Sequence, residues 1–217
     1  MLLINFKTYP QAIGQNALTL TEKLLKVAEE FPQVEVGFSP PELELAEVVK
    51  HTRAKVWAQH TDPTPTGQFT GYLSPSDAKA AGAVGTFLNH SEHPLTDKVI
   101  QATLKLARQE GLKVLIFARD PKKVSEFKDF SPDLIAYEPP ELVGGSISVT
   151  TAKPKVIEDA VAAAGKVPLL IGAGVHEKID IEKALSLGAA GAVVSSAVVT
   201  AKDPKKAYFD LLSGFKS

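Results

Sequence analysis

Three side chains far apart in the chain, Lys7, His90 and Glu138, have between them the chemistry to move a proton on carbon. A carboxylate takes the proton, an imidazole donates to the oxygen that turns negative, and an ammonium holds that charge. Each follows a short apolar run. Glu138 closes Leu134-Ile135-Ala136-Tyr137 and is followed by Pro139-Pro140, whose fixed φ and missing N–H end strand pairing there. Gly144-Gly145 then widens the conformational range before a helix can start at Lys153-Pro154. A stiff base followed by a pliable stretch fits a hinged lid over an acid/base residue. An ordinary strand-to-helix connection with a solvated glutamate fits this segment equally well.

The elements that must position these groups alternate along the whole chain. Short apolar runs at residues 2–7, 34–38, 55–59, 84–88, 112–117, 134–137, 167–171 and 191–194 read as strands, and each is followed by a helical pattern. Runs apolar on both faces are those of parallel strands covered on both sides, and helical connections require parallel neighbours. Eight such units predict an α/β fold, a (β/α)8 barrel, as one domain over residues 1–217. An open doubly wound sheet is the alternative, and the first strand lacks the G-x-G-x-x-G turn it would carry. Local signals agree: Ser74 caps a helix with Pro75 at its first position, and Asp120-Pro121 starts another brief helix.

In such a barrel the site gathers at the C-terminal strand ends. Asn5 and Lys7 end the first strand two apart, and so share a face. His90 follows the fourth strand, Glu138 the sixth, Gly172-Ala173-Gly174 the seventh and Ser195-Ser196 the eighth. Turns of small residues after strands seven and eight admit a phosphate to backbone N–H groups. Alone they would be plain turns; with Lys7 on the same rim the phosphate reading is the better one.

Composition narrows the function. The chain has 217 residues and a net charge of −1 without long blocks of one sign, which gives no footprint for nucleic acid or an anionic membrane. No cysteine is present, so thiol nucleophiles, disulfides and thiolate metal sites are excluded. His90, Glu92 and His93 lack the H-E-x-x-H spacing and a third ligand, so no metal is expected. The uncharged stretch at residues 184–201 is broken by Gly188, Gly191, Ser195 and Ser196 and reads as helix end plus buried strand, not a membrane span. The N-terminal residues lack a signal-peptide pattern, and the cytoplasm is the expected location. Trp57 is expected in the core, His60 in a structural hydrogen bond, and His51 and His176 in solvent.

Taken together, Asn5-Phe6-Lys7, Ala58-Gln59-His60, Asn89-His90-Ser91-Glu92, Tyr137-Glu138-Pro139-Pro140, Gly172-Ala173-Gly174 and the closing serine turn resemble the triosephosphate isomerase family in its short archaeal-type form. The resemblance covers essentially the whole chain in order and implies a TIM barrel that interconverts dihydroxyacetone phosphate and glyceraldehyde 3-phosphate without a cofactor. It implies Glu138 as base, His90 as electrophile, Lys7 beside the enediolate oxygen and phosphate, and Asn5 orienting that oxygen. This family is the standard case of a glutamate base with a neutral histidine, so that pairing comes with the resemblance. Substrate contacts would come from Asn5, Lys7, Val143, Gly144, Gly172, Ser195 and Ser196, and Glu92 would partner Lys7. The segment around Thr70 would reach a neighbouring subunit, making the protein a homodimer or homotetramer. Ser146 and Ala197 stand where the family usually has glycine; at a φ above zero each would cost about 1–2 kcal/mol. Rival readings are another phosphate-binding barrel enzyme and a catalytically silent phosphate binder.

Overall fold

The computed structural model describes residues 1–139 and 154–216. Its strands are β1 (Leu2–Asn5), β2 (Val36–Ser39), β3 (Trp57–Ala58), β4 (Gly85–Leu88), β5 (Lys113–Ala118), β6 (Leu134–Tyr137), β7 (Leu169–Ile171) and β8 (Gly191–Val194). All neighbours pair in parallel, in the order β2-β1-β8-β7-β6-β5-β4-β3. A single bridge from Phe38 to Val56 joins the two outer strands, and the sheet becomes a nearly closed (β/α)8 barrel. Outside it lie α1 (Gln15–Ala28), α2 (Glu42–His51), α3 (Pro75–Ala80), α4 (Asp97–Gln109), α5 (Pro121–Lys128), α6 (Pro154–Ala164), α7 (Lys178–Ser186), the short α8 (Ser196–Val199) and α9 (Pro204–Ser213).

Alternation along the strands separates two apolar layers. Leu3, Trp57, Phe87, Leu115, Phe117, Leu134, Ala136, Leu170 and Val193 fill the barrel interior. Leu2, Ile4, Val114, Ile116 and Ile135 point outward and pack under the helices. The expected cap at Ser74 is present, and Asp120 adds a second. Ser74 Oγ accepts from Asp77 N–H at 3.1 Å while the Asp77 carboxylate accepts from Ser74 N–H, and Asp120 caps α5 through Lys123 N–H at 2.7 Å.

Two strand ends differ from the sequence reading. β1 stops at Asn5, because Lys7 takes the left-handed φ of +46°; simple alternation does not set where its side chain points. β3 keeps only two residues, since it pairs fully with β4 alone. Its first residue is the large interior ring, Trp57, which lies 5.7 Å from Phe87. Room for that ring comes from glycine: a Cβ at Gly85 would sit 2.5 Å from Trp57 Cζ3 and 2.7 Å from Lys113 O.

Replacing Gly85 by Ala should therefore lower stability by about 1–3 kcal/mol through overpacking. Part of that loss should return when Trp57 is simultaneously shortened to Leu. Thermal melts of the two single variants and the double variant measure it, and strictly additive losses would show that the indole is not what the methyl group meets.

Candidate active site

Glu138 is the first residue beyond β6, and its N–H still bonds Ala118 O at 2.8 Å, so its Cα is held by the sheet. The side chain is 4% exposed. Charge at that depth is costly unless it is answered. Oε2 accepts from Ser91 N–H at 3.1 Å, and Oε1 lies 3.1 Å from His90 Nε2. Space for the carboxylate stem again depends on a glycine, since a Cβ at Gly172 would stand 3.3 Å from Glu138 Cβ and 3.2 Å from Tyr137 O.

His90 is aimed by the residue before it. Asn89 adopts φ +61°, a conformation asparagine tolerates better than most residues. Its amide donates to Phe117 O and its carbonyl accepts from Leu95 N–H, both at 2.8 Å. The imidazole edge meets the Phe117 ring at 4.8 Å, so the uppermost interior aromatic is also the floor of the site. Glu92 N–H donates to Nδ1 at 3.1 Å, closer than the Glu92 carboxylate at 3.6 Å. That amide makes Nδ1 an acceptor and leaves the ring proton on Nε2, facing Glu138. The donor belongs to a turn, not to a helix N-terminus, because α4 begins only at Asp97.

Lys7 approaches from the other side. Its own N–H donates to Asn5 Oδ1 at 3.0 Å, and its ammonium pairs with Glu92 Oε1 at 2.7 Å. Asn5 is buried, and Glu92 is more than half exposed at the mouth. Across from Lys7 lie the small-residue turns: Gly174 at φ +69°, then Ser195 and Ser196 leading into α8. Ser195 Oγ and His176 Nε2 are buried there with no hydrogen-bond partner among the described residues. Ala197 lies within α8 and is not among the positive-φ residues, so it carries no glycine-type strain. Ser146 lies outside the described residues.

Asn5, Lys7, His90, Glu138, Gly172, Ser195 and Ser196 all line one cavity, together with Tyr9, Phe117 and His176. Val143 and Gly144 lie outside the described residues. His176 was expected in solvent; instead it is half-buried, its N–H held by Asp180 Oδ2 at 2.8 Å. The Asn89 clamp also escaped sequence reasoning, although an asparagine at a strand end is a recognisable signal for a left-handed turn. Among the described residues no group of three potential ligands could hold a metal ion, and none of their helices is long and apolar enough to cross a membrane. His60 is half-buried, stacks on His93 with ring centres 4.2 Å apart and sits 3.3 Å from Asp62. Burial and the neighbouring His93 lower its pKa, against the opposing pull of Asp62.

With this geometry in place, comparisons give the chain its relatives. The family model described as triosephosphate isomerase matches residues 1–213. The triosephosphate isomerase of Saccharolobus solfataricus is 39% identical over 216 residues, covering 98% of this chain and 95% of that protein. Those of Methanosarcina acetivorans and Methanopyrus kandleri are 37% and 38% identical, over 97% and 99% of the chain and 96% and 97% of their own lengths. In fold, the chain is similar to the crystal structure of triosephosphate isomerase from Bartonella henselae, with a TM-score of 0.78 at 18% identity, covering 100% of this chain and 98% of that one.

The burial of His60 sets an acid-side dependence of stability. Its folded pKa lies below the unfolded value of about 6.5, so the unfolded chain takes up the proton first. The contribution is complete above about pH 6.5 and is lost as pH falls through the folded pKa. A His60→Gln variant should lose less Tm than the parent between pH 7.5 and pH 5; equal losses in the two proteins would assign the slope to other groups.

Proposed function

The chain belongs to the triosephosphate isomerase family, and from that premise we propose how its own residues divide the reaction. The enzyme interconverts dihydroxyacetone phosphate and glyceraldehyde 3-phosphate, a step of glycolysis. The Glu138 carboxylate removes a proton from the carbon beside the ketone, the C–H electron pair becomes the carbon–carbon double bond of an enediolate, and the carbonyl oxygen takes the charge. His90 donates from Nε2 to that oxygen, and Lys7 stabilises it as a cation. Glu138 then returns its proton to the former ketone carbon, while the hydroxyl on the first carbon gives up its proton through His90 to the second oxygen, and the aldose results. Asn5 orients the oxygen, and Gly172, Ser195 and Ser196 accept the phosphate, with Val143 and Gly144 as further backbone contacts.

One observation carries this assignment: a buried carboxylate, an imidazole whose Nδ1 accepts from Glu92 N–H and whose Nε2 faces that carboxylate, and an ammonium share one cavity. The carboxylate accepts from Ser91 N–H and rests against His90. Substrate entry would free both groups at once, the base to turn to carbon and the imidazole to turn to oxygen.

The loop after β3 supports self-association. Thr70 is exposed at its tip, and Phe69 and Tyr72 beside it are 39% and 57% exposed, packed edge-on to each other. Beside Lys7 a second cavity opens between His60, Leu73, Glu92 and His93. The tip of one copy would fill that cavity of another, giving a homodimer or homotetramer in the cytoplasm.

Glu138→Gln should lower kcat by about 10²–10⁴-fold, the usual worth of a positioned base, while a phosphorylated carboxylate mimicking the enediolate still binds. A coupled assay with glyceraldehyde 3-phosphate decides it, and full turnover in the variant would remove Glu138 as the base. For the loop, sedimentation velocity should show a Phe69→Asp, Tyr72→Asp double variant shifting toward single chains with loss of activity. An unchanged sedimentation coefficient would mean that the tip joins nothing.

A further inference from the structure

Gln59, just past β3, spends both hydrogens of its side-chain amide on backbone carbonyls. Nε2 lies 3.0 Å from Lys7 O and 3.0 Å from Ser39 O. Those acceptors belong to the ends of β1 and β2, on the far side of the barrel's weakest join. There β2 and β3 share only the Phe38–Val56 bridge, with Phe38 N–H bonding Lys55 O at 3.0 Å. Past that point the ladder stops, and one carboxamide takes over its work at the rim.

The carbonyl of Lys7 has particular need of a partner. At φ +46° a residue with a side chain costs about 1–2 kcal/mol relative to ordinary backbone. Such a conformation persists only where the surroundings over-determine it. Lys7 N–H is held by Asn5 Oδ1 and Lys7 C=O by Gln59, so the strained unit is gripped at both ends. The backbone amides of Gln59 and His60 also bear on the Glu42 carboxylate, whose pKa burial raises and those amides lower.

We propose that Gln59 is a positioning residue for the reaction: by holding Lys7 O across the β2–β3 seam, it aims the Lys7 ammonium into the cavity. The inference rests on reading Lys7 as a group that touches substrate. Gln59 itself does not touch the reacting atoms; it acts on rate and binding through the lysine.

The test is a double-mutant cycle with Q59M, which keeps the length of the side chain and removes both donors. On glyceraldehyde 3-phosphate, kcat/KM of Q59M should fall about 10- to 100-fold, the scale on which ångström misplacement of a catalytic group is felt. Inhibition by the phosphorylated carboxylate should weaken with it. In K7A, the further change to K7A/Q59M should cost less than twofold, because the aimed group is already gone. A Q59M enzyme within twofold of the parent, or losses that multiply in the double variant, would overturn the proposal; the second result would mean a purely structural stitch. If K7A alone keeps parental activity, it is the reading of Lys7 that fails. Should Q59M not fold, Q59E keeps the shape while turning the donor into an acceptor, and the same cycle is run with it.

Discussion

A carboxylate that is 4% exposed has to be answered by the protein, and most of the rim follows from how Glu138 is answered. Its partners, Ser91 N–H and His90 Nε2, lie beyond β4, whereas Glu138 itself leaves β6. The strand between them, β5, must keep these two ends at a fixed spacing. It does so directly, by pairing with both neighbours. It also does so at its tip, where Ala118 O holds the Glu138 backbone and Phe117 O holds the Asn89 side chain. Base and imidazole are thus referenced to two consecutive peptide units of one strand.

Backbone strain falls where the chemistry is. Of the three non-glycine residues with positive φ among those described, Lys7 lines the cavity and Asn89 immediately precedes His90, which lines it too. In both, the unusual turn is held by side-chain amides, from Asn5 and Gln59 for Lys7, and from Asn89 itself for the turn before His90. Amides suit the task because each offers both donors and acceptors to peptide groups without adding a charge. At these two turns the side chains that fix the geometry are neutral.

The barrel was legible in the sequence because its signals are local and repeated. Doubly apolar strands recur eight times, and Ser74, Asp120 and Asp203 each cap a helix just ahead of a proline. The residues closing the strands were legible for the same reason, since a barrel collects them at one end. What escaped depends on single dihedral angles or on long-range contacts. Alternation put Asn5 and Lys7 on one face, but the chain leaves the strand between them. His176 has nothing in its neighbours to say that the ring faces inward. The concern over Ala197 came from comparing residue types; its placement within a helical turn removes it. Val143 and Gly144 lie outside the described residues.

Trp57 is the chain's one tryptophan, and it stands at the loosest join of the cylinder, inside, between glycines that leave it no slack. Intrinsic fluorescence of this protein therefore carries no average over many sites. Any reagent, temperature or partner that parts β3 from its neighbours will wet a single indole, and the emission spectrum becomes a gauge of whether the ring of strands is shut.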